Sequence, residues 1–234
     1  MTSTRRGLSF VSIVAVLVTA PALAASGSGT QVGIGFRAGT LGLGADIDFR
    51  ISDAFNARIG YSGYSLNRSV TDTDVHYDGK LKLSNPSVLI DWRVLKGGFH
   101  LTAGIVASST KIDAVGQPTS GGTYTINNTV YTGAEIGSLT GNFKFGNSVA
   151  PYFGVGFGNV VGKDGHFSVL FDVGAIYAGT PSIALTGNCA AAIVGTPVCA
   201  QLQADVAAEK AKLAQDLGIL KFYPVVGLGI GYRF

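Results

Sequence analysis

Residues Phe222 to Phe234 read FYPVVGLGIGYRF, and this stretch decides the fold. Phe222, Pro224, Val226, Leu228, Ile230, Tyr232 and Phe234 share one parity, while Gly227, Gly229, Gly231 and Arg233 share the other. Apolar residues at every second position mark an extended strand whose two faces meet different surroundings. In a soluble sandwich the polar face would be rich in Lys, Glu, Thr and Ser. Here it is mostly glycine.

The same alternation recurs upstream. Leu43, Ala45, Ile47, Phe49 and Ile51 oppose Gly44, Asp46, Asp48 and Arg50. Phe55, Ala57, Ile59 and Tyr61 oppose Asn56, Arg58, Gly60 and Ser62; Phe99, Leu101, Ala103 and Ile105 oppose His100, Thr102 and Gly104. Phe153, Val155 and Phe157 oppose glycines, and Phe167, Val169, Phe171, Val173, Ala175 and Tyr177 oppose a face with Ser168, Asp172 and Gly174. Apolar faces ending in aromatics, opposite faces poor in charge and strands of about 9–11 residues suit a membrane-crossing barrel better than a periplasmic sandwich. Composition agrees. Only 13% of the 234 residues are charged, against about 25% in ordinary soluble domains, and 34 are glycine. A formal charge of +3 is too small to argue for nucleic acid.

The predicted class is therefore all-β, a transmembrane antiparallel up-and-down β-barrel of 8–10 strands. The crossings are 31–37, 43–51, 55–65, 79–94, 99–108, 139–145, 150–160, 166–177, 182–186 and 222–234. That makes ten, an even number that leaves both termini in the periplasm. Short links at Ser52-Asp53-Ala54, Lys96-Gly97-Gly98, Gly146-Asn147-Ser148 and Gly179-Thr180-Pro181 read as periplasmic turns; longer ones at 66–78, 109–137, 161–165 and 188–221 read as outer loops. One strand changes phase: Leu81 and Leu83 put odd positions on the apolar face, whereas Val88, Ile90, Trp92 and Val94 put even positions there. Proline is tolerated in sheets mainly at edges and bulges, so a β-bulge is expected at Asn85-Pro86, with a strand that ends and restarts as the alternative.

Residues 1–24 carry Arg5 and Arg6, an apolar run from Leu8 to Thr19 and the small residues Ala22 and Ala24, the order of a cleaved export signal. The barrel domain then spans 25–234, and the expected location is the outer membrane. In this oxidising setting Cys189 and Cys199 are expected to form a disulfide. It braces a loop that continues into a helical stretch over 200–217, placed outside by parity. The hairpin pattern Tyr124 to Tyr131, centred on Asn127-Asn128, reads as the end of a barrel hairpin or an exposed contact surface.

These residues resemble the porin-like small outer-membrane β-barrels of Gram-negative bacteria, the OmpA–OmpW type. The carriers are the export signal and the closing segment with Leu228, Ile230, Tyr232 and Phe234, which looks like the signal read by the barrel-assembly machinery. Ala38 to Gly44 (AGTLGLG), Tyr77-Asp78-Gly79 and Asp91-Trp92 are also similar to proteins of this group. The resemblance implies fold, outer-membrane lipid as surroundings and the assembly machinery as partner. It implies activity poorly, because members share architecture and differ in function.

Alternation points Asp46, Asp48, Arg50, Arg58, Lys80, Lys82, Asp91, Arg93, His100, Lys144, Asp172 and Arg233 into the lumen. These lumen-lining residues form either a salt-bridged plug or a narrow pore whose basic excess favours anions. Asp72, Asp74, His76 and Asp78 are the candidate metal ligands, opposed by strand geometry that holds alternate side chains nearly 7 Å apart. Among His76, His100 and His166, only His166 beside Ser168 hints at a rim enzyme, and nothing completes a triad. No cofactor and no enzymatic chemistry are expected. The leading function is porin-like passage or binding of small solutes. The alternative is a closed structural or surface-interaction barrel acting through its loops.

Overall fold

The computed structural model describes residues 31–72, 75–95, 97–118, 122–162 and 165–234, so the predicted export signal lies outside the described residues. The first strands are β1 (Val32–Gly39), β2 (Gly42–Arg50), β3 (Phe55–Asp72), β4 (Val75–Trp92), β5 (His100–Ala107) and β6 (Lys111–Pro118). After the short β7 (Thr123–Ile126) and β8 (Thr129–Thr132) come β9 (Ile136–Lys144), β10 (Val149–Phe157), β11 (Phe167–Tyr177) and β12 (Ser182–Cys189). Helix α1 (Pro197–Asp216) precedes the last strand, β13 (Phe222–Arg233).

Eight strands close a ring in the order β1-β2-β3-β4-β5-β10-β11-β13, every neighbouring pair antiparallel. Closure leaves no free edge, so each ring strand finds partners on both sides within the protein. The outer face is bare and apolar: Phe153, Phe167, Val169, Leu228, Ile230 and Phe234 are each at least 60% exposed. No helix among the described residues is long and apolar enough to cross a membrane, and the crossing here is made by strands.

The expected ten crossings become eight, because two of the short links are bends. Gly146-Asn147-Ser148 joins β9 to β10, and Gly179-Thr180-Pro181 joins β11 to β12, each pair running on in one direction as a single long wall strand. The bends lie side by side: Asn147 N–H donates to Ala178 O at 2.8 Å, and Gly179 sits at φ +70°. A third bend, Ser108 to Thr110, joins β5 to β6, and Ser109 N–H donates to Ser84 O at 2.8 Å. Asn85, 1% exposed, pins this crease by donating to Leu41 O at 3.2 Å and accepting from Ser108 Oγ at 2.8 Å. With eight strands both termini and the 158–166 turn share one end, so that turn leaves the long-loop set. Helix α1 lies at the other end, where parity had put it.

The phase change in β4 is no bulge. The β3–β4 register runs unbroken from Phe55↔Trp92 to Asp72↔Val75, through Tyr61↔Pro86 and Ser62↔Asn85. Pro86 falls in the gap between the β4–β6 ladder, which ends at Lys82, and the β4–β5 ladder, which starts at Ser87. What changes is the surroundings. Below the crease, even positions (Val88, Ile90, Trp92) meet lipid and Asp91 points inward. Above it, Lys80 and Lys82 are exposed to water while Leu81 and Leu83 are half-buried on the inner face.

Above the crease β4, β6, β9 and β12 splay into a platform. Its core joins Val75, Tyr124, Ile126, Tyr131 and Ile136 to Leu202 and Val206 of α1. Thr196 caps α1 by accepting from Cys199 N–H, with Pro197 in the first turn, where its missing N–H costs nothing. The predicted disulfide joins Cys189 at the end of β12 to Cys199. The Asn127-Asn128 hairpin exists, with both asparagines at positive φ as a two-residue turn requires. It is neither the end of a barrel hairpin nor an exposed contact surface, because β7 and β8 pair only with each other and Tyr124, Ile126 and Tyr131 pack under α1.

Candidate functional site

Strand parity delivers the inward residues of the ring, and glycines give them room. A side chain at Gly35 would meet the Asp46 carboxylate at 2.5 Å, one at Gly60 the Asp46 Cβ at 2.8 Å, and one at Gly174 the Tyr152 hydroxyl at 2.6 Å. Into this space β1 sends Arg37, β2 Asp46 and Asp48, β3 Arg58, β4 Asp91, β5 His100 and Thr102, and β11 Asp172.

Arg58, 4% exposed, is the centre. Its Nη2 donates to Asp91 Oδ1 at 2.9 Å, and its Nη1 to Asp172 Oδ1 at 3.2 Å, bridging opposite walls. Arg37 Nε and Nη2 donate to the two oxygens of Asp46 at 2.7 and 3.2 Å, while its Nη1 donates to Asp172. Thr102 Oγ1 donates to Asp91 at 2.7 Å. His100 places Nε2 3.5 Å from Asp172 Oδ1 and Nδ1 3.1 Å from Gly98 O. Buried ions tolerate such a site only when paired and hydrogen-bonded, and each guanidinium here meets carboxylates from two different strands.

The cluster is flanked on both sides. Towards the platform, Leu41, Leu89, Val106, Ala150, Tyr152, Ile176, Ala178 and Val225 form an apolar layer. Between it and the charges lies a cavity of about 80 Å³, lined by Arg37, Asp46, Arg58, Tyr152, Asp172 and Val225 among others. Towards the termini, the 158–162 turn tucks inward: Val160 and Val161 are 4% and 0% exposed. Val160 fits against Gly231, where a Cβ would sit 2.7 Å from it, and Asn56 Nδ2 donates to Asn159 Oδ1 at 3.1 Å.

An eight-stranded antiparallel ring, with one helix before its closing strand and a sheet splayed above it, fixes the comparison. The fold is that of the CarO barrels. CarO2 of Acinetobacter baumannii superposes with a TM-score of 0.59 at 23% identity, over 87% of this chain and 98% of its own. CarO of the same organism gives 0.60 at 22% identity over the same shares. No protein-family model and no curated protein matches the sequence. Single-chain, even-stranded antiparallel barrels with an apolar outer band are outer-membrane proteins, and that is where this barrel belongs.

Of the predicted lumen residues, Asp46, Asp48, Arg58, Asp91, His100 and Asp172 converge in the bore. Arg50, Arg93 and Arg233 sit at the end near the termini. Arg50 donates to Gln31 at 2.9 Å and pairs with Asp53; Arg93 donates to Asp53 O, and Arg233 to Gly162 O. Lys80, Lys82 and Lys144 lie above the crease, exposed, away from the bore. Arg37, Asn56, Thr102 and Tyr152 belong to the interior and were missing from the predicted set. Arg37 alternates with Gly33, Gly35 and Gly39, so parity in β1 carries the signal; Tyr152 breaks the expectation that aromatics face lipid. The bore thus holds four aspartates against two arginines and His100, which reverses the predicted basic excess.

The other candidates separate. Asp74 lies outside the described residues, and the chain reverses between Asp72 and Val75, which interrupts the alternation that a four-ligand set needs. His76 and Asp78 stand exposed on β4, 3.5 Å apart, with Thr71 Oγ1 at 2.8 Å from His76 Nδ1. Among the described residues no three His, Cys, Asp or Glu side chains gather as metal ligands. His166 Nδ1 faces Arg233 O at 3.0 Å, and Ser168 Oγ is buried without a hydrogen-bond partner.

Proposed function

We propose that this chain is a closed outer-membrane barrel that carries out no chemistry and acts through the platform it holds beyond the membrane. The observation that carries this reading is Arg58, whose guanidinium spans the bore from Asp91 to Asp172. A bridged charge layer with an apolar layer on one side and the Val160 turn on the other supports a sealed lumen. In this reading the mature protein begins after residue 24, lipid surrounds the ring, and the assembly machinery reads Leu228, Ile230, Tyr232 and Phe234, all of which point outward from the last strand.

Passage of small solutes is the second reading, and the cavity of about 80 Å³ beside the charge cluster favours it. Four carboxylates against two guanidinium groups would then select cations, the reverse of the anion preference expected from sequence. The mature chain, refolded into a planar bilayer and checked by heat-shifted gel mobility, distinguishes the two. The closed reading expects no discrete current steps. Steps from a properly folded barrel overturn it, and their reversal potential in a salt gradient then reports the selectivity.

A further inference from the structure

The outward faces of β3, β4, β6, β9 and β12 carry one continuous row at the foot of the platform. Direct strand pairing runs Ser65↔Lys82, Lys82↔Lys111, Lys111↔Lys144 and Lys144↔Ser182, and all five side chains are exposed. Like charges directly opposite each other in a sheet are destabilising, yet here three lysines stand on adjacent strands about 4.8 Å apart. Among the described residues none of the three is in an ion pair. The next outward row sets Asp113 opposite a fourth lysine, Lys80, and so adds no net negative charge.

The apolar band fixes the level of this row. On β11 the lipid-facing side runs from Phe167, packed on Tyr232, to Tyr177, packed on Phe222. The strand has 11 residues. At about 3.3 Å each and a tilt of about 45°, they rise about 25 Å, the height of an outer-membrane apolar band. Ser182 comes one bend beyond Tyr177, so the lysines stand just past the aromatic girdle, at headgroup depth. Tyr61 on β3 agrees: its hydroxyl donates to Ser84 Oγ at 3.1 Å, on the side of the row.

We propose that Lys82, Lys111 and Lys144 bind phosphomonoester groups of the lipid in the outer leaflet, anchoring the foot of the platform on anionic lipid. A phosphomonoester carries about −1.5 to −2 charge at neutral pH and three acceptor oxygens. Three ammonium groups on strands spanning about 10 Å, flanked by two hydroxyls, match both features. The row continues faces that meet lipid, Ile59 on β3 and Val88 and Ile90 on β4, which favours an anion held on acyl chains over a soluble one. The proposal rests on the platform standing outside the membrane and not on the state of the bore.

Native mass spectrometry of the mature chain, refolded in zwitterionic detergent and checked by heat-shifted gel mobility, reads the binding of diphosphoryl lipid A. The wild type should prefer it to its fully dephosphorylated form, a comparison that needs no variant. Lys82→Gln, Lys111→Gln and Lys144→Gln combined should weaken binding by about fivefold per lysine, about a hundredfold in all. Lys210→Gln, Lys212→Gln and Lys221→Gln remove the same charge from α1 and the segment after it. They should leave binding within about twofold at physiological salt, where distant charges are screened. Equal weakening in the two triple variants, or equal binding of the dephosphorylated lipid, overturns the proposal. So does calorimetric binding of inorganic phosphate alone with the affinity of the lipid, which would make the ligand a soluble anion. No current is measured, so this proposal and the closed-barrel reading fail separately.

Discussion

Arg58 shows how a single side chain holds the bore. It is wedged between Asp91 and Asp172, and removing it leaves Asp91 buried without a guanidinium, while Asp172 keeps only that of Arg37. Breaking a buried pair from one side costs about 3–5 kcal/mol, because the partner charge is left without compensation. Arg58→Met keeps much of the volume and removes the charge, so the refolded barrel should lose about that much in urea unfolding; a loss near zero would show that water or other donors replace the guanidinium. At this scale the sequence was legible wherever strand parity was read against lipid: Asp46, Asp48, Arg58, Asp91, His100 and Asp172 all point inward. Arg37 was missed although its flanking glycines obey the same parity. Lys80, Lys82 and Lys144 were assigned inward because parity alone does not report where a strand leaves the bilayer.

That failure belongs to the element, and β4 shows its cause. One face of this strand holds Ile90 and Trp92 below the crease and Lys80 and Lys82 above it, with no slip in register. The apolar face meets lipid in the ring, whereas in the platform the apolar face turns inward towards α1 and its hairpin. A change of solvent therefore mimics a change of phase. Ile90→Arg should destabilise the barrel in vesicles by about 2–4 kcal/mol if Ile90 lies near the bilayer midplane, while Lys82→Glu on the same face should stay within about 0.5 kcal/mol. Equal costs at the two positions would mean that the membrane boundary does not fall at the crease. The strand count failed for a related reason. Gly146-Asn147-Ser148 has the composition of a tight turn, and only the long-range pairing of β9 with β6 and of β10 with β5 makes it a bend.

At the scale of the molecule, ring and platform share strands but use separate forces. The ring closes through backbone ladders in lipid, and none of its eight pairings involves α1. The platform depends on a small apolar core, the Cys189–Cys199 bridge and polar anchors from α1, of which Asp205 carries a charge. That carboxylate accepts from Tyr131 Oη at 2.5 Å, Asn127 Nδ2 at 3.0 Å and Gln201 Nε2 at 3.3 Å. The Tyr131 and Asn127 hydrogen bonds hold its pKa down at about 2, against the opposing effect of burial. An unfolded aspartate titrates near 3.9. The anchor therefore stabilises fully above about pH 4 and is lost as pH falls through about 2. Amide hydrogen exchange, corrected for intrinsic rates, should show α1 losing protection across that window while β11 in the ring keeps its own. Asp205→Asn removes the charge that titrates, so protection of α1 should start lower and change little with acid. Simultaneous loss in α1 and β11 would mean that ring and platform open as one unit, and the separation of forces argued here would not hold.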